Sequence, residues 1–329
     1  VYDSNSTCHF LEYLTQTDYD NITHPMLLES WKPSDDLKTW DLMLRKGIKF
    51  NNGDELTADD ILFNFKEWLD PEVGSSMIGK LPYLQITGVE KVDDYHVRLN
   101  LDTPAISVPE DLFHYPAQIL HRGFEGDIVA QPVGTGPFTL QEYSVGERVV
   151  LKRRNDYWQK GADGQSLPYM DGMQINDMGS EMAPQIAALK AGEIDMIDLS
   201  DGGGAEAFNA LKDDSNINVL PSATAGTQVL RMRVDMKPWD DNRVRMALKL
   251  CQHREKLLAL AFFDQGLLGQ DMHVCPLHPE YCEKPVPKYD PERAKHLLKE
   301  AGYPDGIDVN LAFGSGWPEI VRYAEILKQ

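Results

Sequence analysis

Thr39-Trp-Asp-Leu-Met-Leu-Arg-Lys-Gly-Ile-Lys-Phe-Asn-Asn-Gly-Asp-Glu-Leu-Thr-Ala-Asp-Asp60 contains a strand, a turn and the start of a helix in one continuous stretch. Trp40, Leu42 and Leu44 alternate with polar or smaller neighbours, as they should on the buried face of a half-covered strand. Asn52-Gly53 then signals a turn. Thr57 is a helix N-cap with an acid three residues on, and Ile61, Phe65 and Trp68 follow on one stripe until Asp70-Pro71 stops the helix.

Outward from there, short strands and helices keep alternating. Val89 to Leu101 reads as a hairpin about Asp93-Asp94, and Glu147 to Arg153 as a further strand. Gly134-Thr-Gly136-Pro137 lacks the third glycine of a dinucleotide fingerprint, and Pro137 removes an N–H that a phosphate cradle would need. It reads as a tight entry into a strand at Phe138–Leu140. Met182 to Ala191 should be helical with Gly192 as its left-handed cap, followed by a strand over Glu193–Leu199. A strand is also expected over Gly226–Leu230. Asp290 and Pro291 open a helix whose stripe is Ala294, Leu297, Leu298 and Ala301. Elements of this kind indicate an α/β or α+β multidomain protein, in keeping with 329 residues.

Composition narrows the function. With 32 Lys and Arg against 52 Asp and Glu, the net charge of −20 repels phosphate backbones and anionic lipid heads. No stretch approaches the ~18 apolar residues of a membrane span. There is no nucleophile elbow, zinc-protease motif or Walker lysine, so the sequence offers no enzyme signature and implies no cofactor. Cys251 falls on an apolar stripe with Val244, Ala247 and Leu248, where a buried thiol is expected. Cys275 and Cys282 flank a Pro-rich loop and are candidates for a structural disulfide in an oxidising compartment. Free thiols or a metal site with His273 and His278 are the alternatives, although the spacing fits none of the usual zinc patterns.

The opening stretch, with Leu28-Glu-Ser-Trp31 before it, resembles the signature of solute-binding protein family 5, the oligopeptide, dipeptide and nickel receptors of ABC importers. Further landmarks occur in the family's order: Gly134 to Phe138 with Arg153 to Trp158, Leu189 to Met196, Pro238 to Leu248 and Tyr289 to Tyr303. The resemblance implies an α/β, periplasmic binding protein type II-like two-lobed clamp with an extra small domain II and mixed sheets flanked by helices. It implies domain I from residues 1–21 and 133–232, domain II from 22–132, and an incomplete domain III from 233–329, with a crossover near 231–235. A chain truncated at both ends is expected on the same ground. The implied function is capture of a peptide, or alternatively a nickel chelate, haem, oligosaccharide or opine, for a cognate membrane permease; a glycosidase or metalloenzyme using the acidic residues is the alternative from a different class. The protein would be a monomer in the periplasm or outside the cell, free or lipid-anchored. Thr227 and Gln228 are the expected ligand contacts, since they bring hydrogen-bonding groups to the implied cleft, and an ordinary wet strand face is the alternative reading.

Overall fold

The computed structural model describes residues 4–18, 20–199, 204–220, 226–278, 280–314, 316 and 318–328. They form two units, divided between Asp177 and Met178.

In the first unit, a one-turn helix α1 (Ser4–Thr7) leads to a small antiparallel pair, β1 (Thr15–Thr17) with β2 (Thr23–Pro25). Strands β3 (Leu28–Pro33), β4 (Thr39–Leu44), β5 (Val89–Asp93) and β6 (His96–Asn100) make an antiparallel sheet in the order β3-β4-β6-β5. Trp40 lies opposite Leu99 and Leu42 opposite Val97, so the apolar face predicted from alternation is built by both strands and buried. On the other face Arg98 Nε donates to Asp41 Oδ1 at 2.8 Å, and His96 Nε2 lies 2.8 Å from the same oxygen. The Arg98 hydrogen bond is the main cause that holds the Asp41 carboxyl below its ordinary range.

Helix α2 (Ala58–Leu69) lays Ile61, Phe65 and Trp68 into this core. Its N-terminus is anchored by the acid seen in the sequence. The Thr57 N–H donates to Asp60 Oδ2 at 2.9 Å, and Asp60 also accepts from the Arg122 N–H at 3.0 Å and Arg122 Nη1 at 2.9 Å. Asn64, one turn on, exchanges two bonds with the backbone of Leu120. Buried polar groups on α2 therefore fasten the segment 120–122, beyond helix α3 (Val108–Asp111), to the sheet domain.

A second apolar core in the same unit joins Phe10 and Leu11 to Ile128, Phe138, Val149 and Leu151. Phe138 opens strand β7 (Phe138–Ser144), which pairs antiparallel with β8 (Arg148–Arg153), and β8 with β9 (Gly172–Asn176). The Gly134–Pro137 stretch is the strand entry expected. The Gly136 N–H donates to the Phe10 carbonyl at 3.0 Å, and a Cβ placed on Gly134 would come within 1.9 Å of that oxygen. Glycine is required there by backbone contact.

The second unit is helical in its regular parts. Helix α4 (Met182–Ala191) ends on Gly192 at φ 72°, and packs with α5 (Gly204–Leu211) around Met182, Ala207 and Leu211. Helix α6 (Asn242–Leu250) meets α8 (Pro291–Glu300) through Ala247, Ala294 and Leu297, and Asp290 caps α8 by accepting from the Arg293 N–H at 2.9 Å. Helix α7 (Arg254–Phe262) lies against α9 (Pro318–Leu327). None of the helices among the described residues is long and apolar enough to cross a membrane.

Three expectations need correction here. Glu193–Leu199 and Gly226–Leu230 form no strands, because a strand exists only with a ladder partner and neither segment has one among the described residues. Cys251 is not buried: it is the exposed C-cap of α6, with its thiol turned back to the Leu248 carbonyl at 3.3 Å.

The glycine contact gives a direct test. Gly134→Ala should destabilise the first unit by about 1–3 kcal/mol in urea denaturation, because the methyl meets backbone that cannot swing away. Gly79→Ala, where a Cβ meets nothing within 4 Å, should change stability by less than about 0.5 kcal/mol.

Candidate functional site

Phe10-Leu-Glu-Tyr-Leu14 places one acid in an apolar run, and the structure buries it: Glu12 is 1% exposed. An ionised carboxylate is tolerated in such a place only if hydrogen-bond donors replace its water. Tyr157 Oη donates to Glu12 Oε1 at 2.6 Å, and Trp158 Nε1 reaches both carboxylate oxygens at 3.2 and 3.1 Å. Burial still dominates and raises the Glu12 pKa above its ordinary 4.5, against the opposing hydrogen bonds and the nearby Arg154 charge. Tyr157 is pushed up as well, first by burial and then by the Glu12 charge beside it.

Arg154 is the matching cation, 5% exposed. Its Nη1 donates to the carbonyls of Gly134 and Gly136 at 3.2 and 3.3 Å, and its Nη2 to that of Lys49 at 3.1 Å. Two further bonds of 3.1 Å fork onto Asp156. Glu12 and Arg154 thus knit the glycine turn, the Lys49 loop and the Tyr157-Trp158 segment into one rigid support.

That support backs an open cleft of ≈ 580 Å³, lined by Glu29, Arg45, Lys46, Gly47, Ile48 and Trp158. Arg45 follows β4 directly. Its N–H donates to the Leu27 carbonyl at 3.0 Å, its Nε to the Met26 carbonyl at 2.7 Å, and its guanidinium lies 5.5 Å from the centre of the Trp158 ring. The chain turns immediately afterwards at Gly47, φ 77°, whose N–H is held by Glu55 Oε1 at 2.8 Å. The cleft can bind and orient a small molecule through charge and an aromatic wall.

Thr227 and Gln228 lie in the second unit, on irregular backbone, with Thr227 half-buried and Gln228 exposed. Neither lines this cleft. Cys275 and Cys282 are unbridged in the structure. Two successive turns, His278 N–H to Cys275 carbonyl and Tyr281 N–H to His278 carbonyl, bring the imidazole to Cys275, whose sulfur lies 3.3 Å from His278 Nδ1. Asp18, Asp20 and His24 bring ligand atoms within 4.8 Å of one another in the β1–β2 turn. Asp18 and Asp20 already accept from Gln16 Nε2 and the Ile22 N–H, the ordinary contacts of a tight turn.

A sequence profile of bacterial extracellular solute-binding proteins, family 5 Middle, matches residues 23–329. The chain belongs to this family. Di/tripeptide-binding protein 1 of Pseudomonas aeruginosa is 30% identical to the family-5 chain over 317 residues, covering 87% of the chain and 56% of that relative. Heme-binding protein A of Haemophilus influenzae is 28% identical over 317 residues, covering 87% and 55%. The family-5 chain therefore spans little more than half the length of these relatives. The solved structure of the PBP AgaA from A. tumefaciens R10, in complex with agropinic acid, superposes with a TM-score of 0.81 at 23% identity, over 98% of this chain and 65% of that one. The fold is that of the periplasmic binding proteins of this family.

The buried acid sets a pH dependence. Above pH 4.5 the unfolded chain ionises Glu12 while the folded chain still holds the proton, so rising pH weakens the folded state until the folded carboxyl ionises too. Glu12→Gln removes that slope. Denaturation of both proteins from pH 4.5 upwards should show the variant gaining stability relative to wild type as pH rises, and parallel curves would refute the assignment.

Proposed function

We propose that the chain is part of a receptor that captures a small peptide outside the cytoplasmic membrane and delivers it to a cognate ABC permease. The observation that carries this reading is the family match over residues 23–329, joined to the 30% identity with a di/tripeptide-binding protein. In the proposed mechanism two lobes interconvert between open and closed forms, ligand touches both only when closed, and the permease reads the closed surface. Such a device needs binding energy and no reacting group. Residues 1–21 and 133–232 are assigned to domain I, 22–132 to domain II and 233–329 to domain III. The separate cores of the first unit support a division into two parts, one core running from Leu14 to Ile119 and the other joining Phe10 and Leu11 to Ile128, Phe138, Val149 and Leu151, with Leu14 and Ile128 each lying across the assigned bounds. The break in compactness after Asp177 falls inside the domain I stretch, so unit and domain boundaries differ. Thr227 and Gln228 are proposed ligand contacts and residues 231–235 a crossover. The protein would act as a monomer, in the periplasm or on the cell surface through a lipid anchor.

A non-peptide solute is the second reading, favoured by the near-equal identity to a heme-binding protein. Calorimetry of the full-length protein against a dipeptide and tripeptide library, with haem and nickel chelates alongside, separates the two. Small-angle scattering should then show compaction with the bound peptide, and the peptide should be recovered intact. Demonstrated binding with an unchanged scattering profile, or hydrolysis of the peptide, would sink the receptor mechanism.

A further inference from the structure

Arg45 and Lys46 are adjacent cations on a chain with 52 acidic residues, yet neither has a carboxylate partner among the described residues. Arg98, Arg122, Arg148 and Arg254, by contrast, each hold a carboxylate within 3.0 Å. Arg45 and Lys46 line one cleft.

Arg45 is also fixed in place. Its backbone is tied to Leu27, its Nε to Met26, and its guanidinium faces Trp158, whose indole is in turn held by buried Glu12. What remains is Nη1 and Nη2, without a hydrogen-bond partner among the described residues. A planar fork held in advance matches the two oxygens of a carboxylate and loses little freedom on binding. Lys46 is exposed, with its Nζ 5.2 Å from the centre of the Tyr95 ring, and adds a second positive charge at the rim. Trp158 supplies a flat apolar wall. Glu29, exposed in the lining, opposes a second negative charge on the ligand. The volume of ≈ 580 Å³ lies within the roughly 300–1,000 Å³ common for small-ligand sites.

We propose that the Arg45–Lys46–Trp158 cleft binds the carboxylate of a small, singly charged organic anion with a flat apolar body. The carboxylate lies against the guanidinium fork and Lys46, and the body against Trp158. The site lies within the first unit and does not rest on the receptor reading: it can fail while ligand-driven compaction stands, and the reverse.

The test uses full-length protein carrying 15N-labelled tryptophan, with the Trp158 indole resonance identified by its loss in Trp158→Phe. Benzoate should move that resonance along a saturating curve, and benzamide, the same shape without the charge, should not. Arg45→Gln and Lys46→Met should each weaken the benzoate response by about tenfold or more, the loss of one charge-assisted hydrogen bond. Lys46→Met serves even if Arg45→Gln disturbs folding, since Lys46 is exposed. Displacement of benzoate by Gly-Phe but not by Gly-Phe amide would assign the site to a peptide's C-terminus. Absence of displacement would assign it to free organic acids. A Trp158 resonance that does not respond to benzoate, responds equally to benzamide, or responds unchanged in both variants would overturn the proposal.

Discussion

Residues 9–14 run between the two apolar cores of the first unit, and the unit depends on satisfying the backbone there. Phe10 and Leu11 belong to one core and Leu14 to the other. The carbonyls of His9, Phe10, Glu12, Tyr13 and Leu14 accept from the backbone N–H groups of Phe138, Gly136, Ile119, Leu27 and Leu28. Donors from both cores thus converge on one short segment, which leaves no room for a side chain at Gly134. Glu12 and Arg154 extend the same arrangement outward, so the Trp158 wall of the cleft is fixed by a residue buried behind it.

Charge plays two different parts in this molecule. Exposed pairs such as Arg148 with Glu142 or Lys295 with Glu292 contribute little, about 0–1 kcal/mol each, and leave the net charge of −20 intact. Buried charges act through satisfaction. Asp60 and Arg154 each sit among several hydrogen-bond partners, and removing one partner would strand the rest. Arg45 is intermediate: anchored on three sides and open on the fourth.

Much of the fold is legible because its signals are local. Thr57 with Asp60, Gly192 at the end of α4 and Asp290 before Pro291 each act within four residues, and all three appear where expected. The β5–β6 hairpin closes at Asp93–His96 for the same reason. The buried centre is not legible in this way. An acid in Phe10-Leu-Glu-Tyr-Leu14 is a visible anomaly, but its partners Tyr157 and Trp158 lie 145 and 146 residues away. Arg45 was read as part of a motif and Trp158 as a landmark, and only the fold brings them to one cleft. The same limit explains the absent strands. A strand expected over Gly226–Leu230 names no ladder partner, and Val229, with Val234 and Met236 beyond it, is left exposed.

The span from Glu12 to Trp158 also fixes an order of events during synthesis. A ribosome delivers Glu12 first, and the carboxylate's donors follow only 145 and 146 residues later. Until then Phe10 and Leu11 lack Phe138, Val149 and Leu151, and the segment that joins the cores has nothing to close upon. Contacts of such separation form slowly, because a long loop must be ordered before they can form. The β3–β6 sheet with α2, whose strand pairings and helix stripe lie within residues 28–100 and whose further anchors end at Arg122, can assemble before that. The nascent chain therefore carries a folded sheet domain beside an unclosed Phe10–Leu14 segment, and Trp158 helps to close that segment through Glu12.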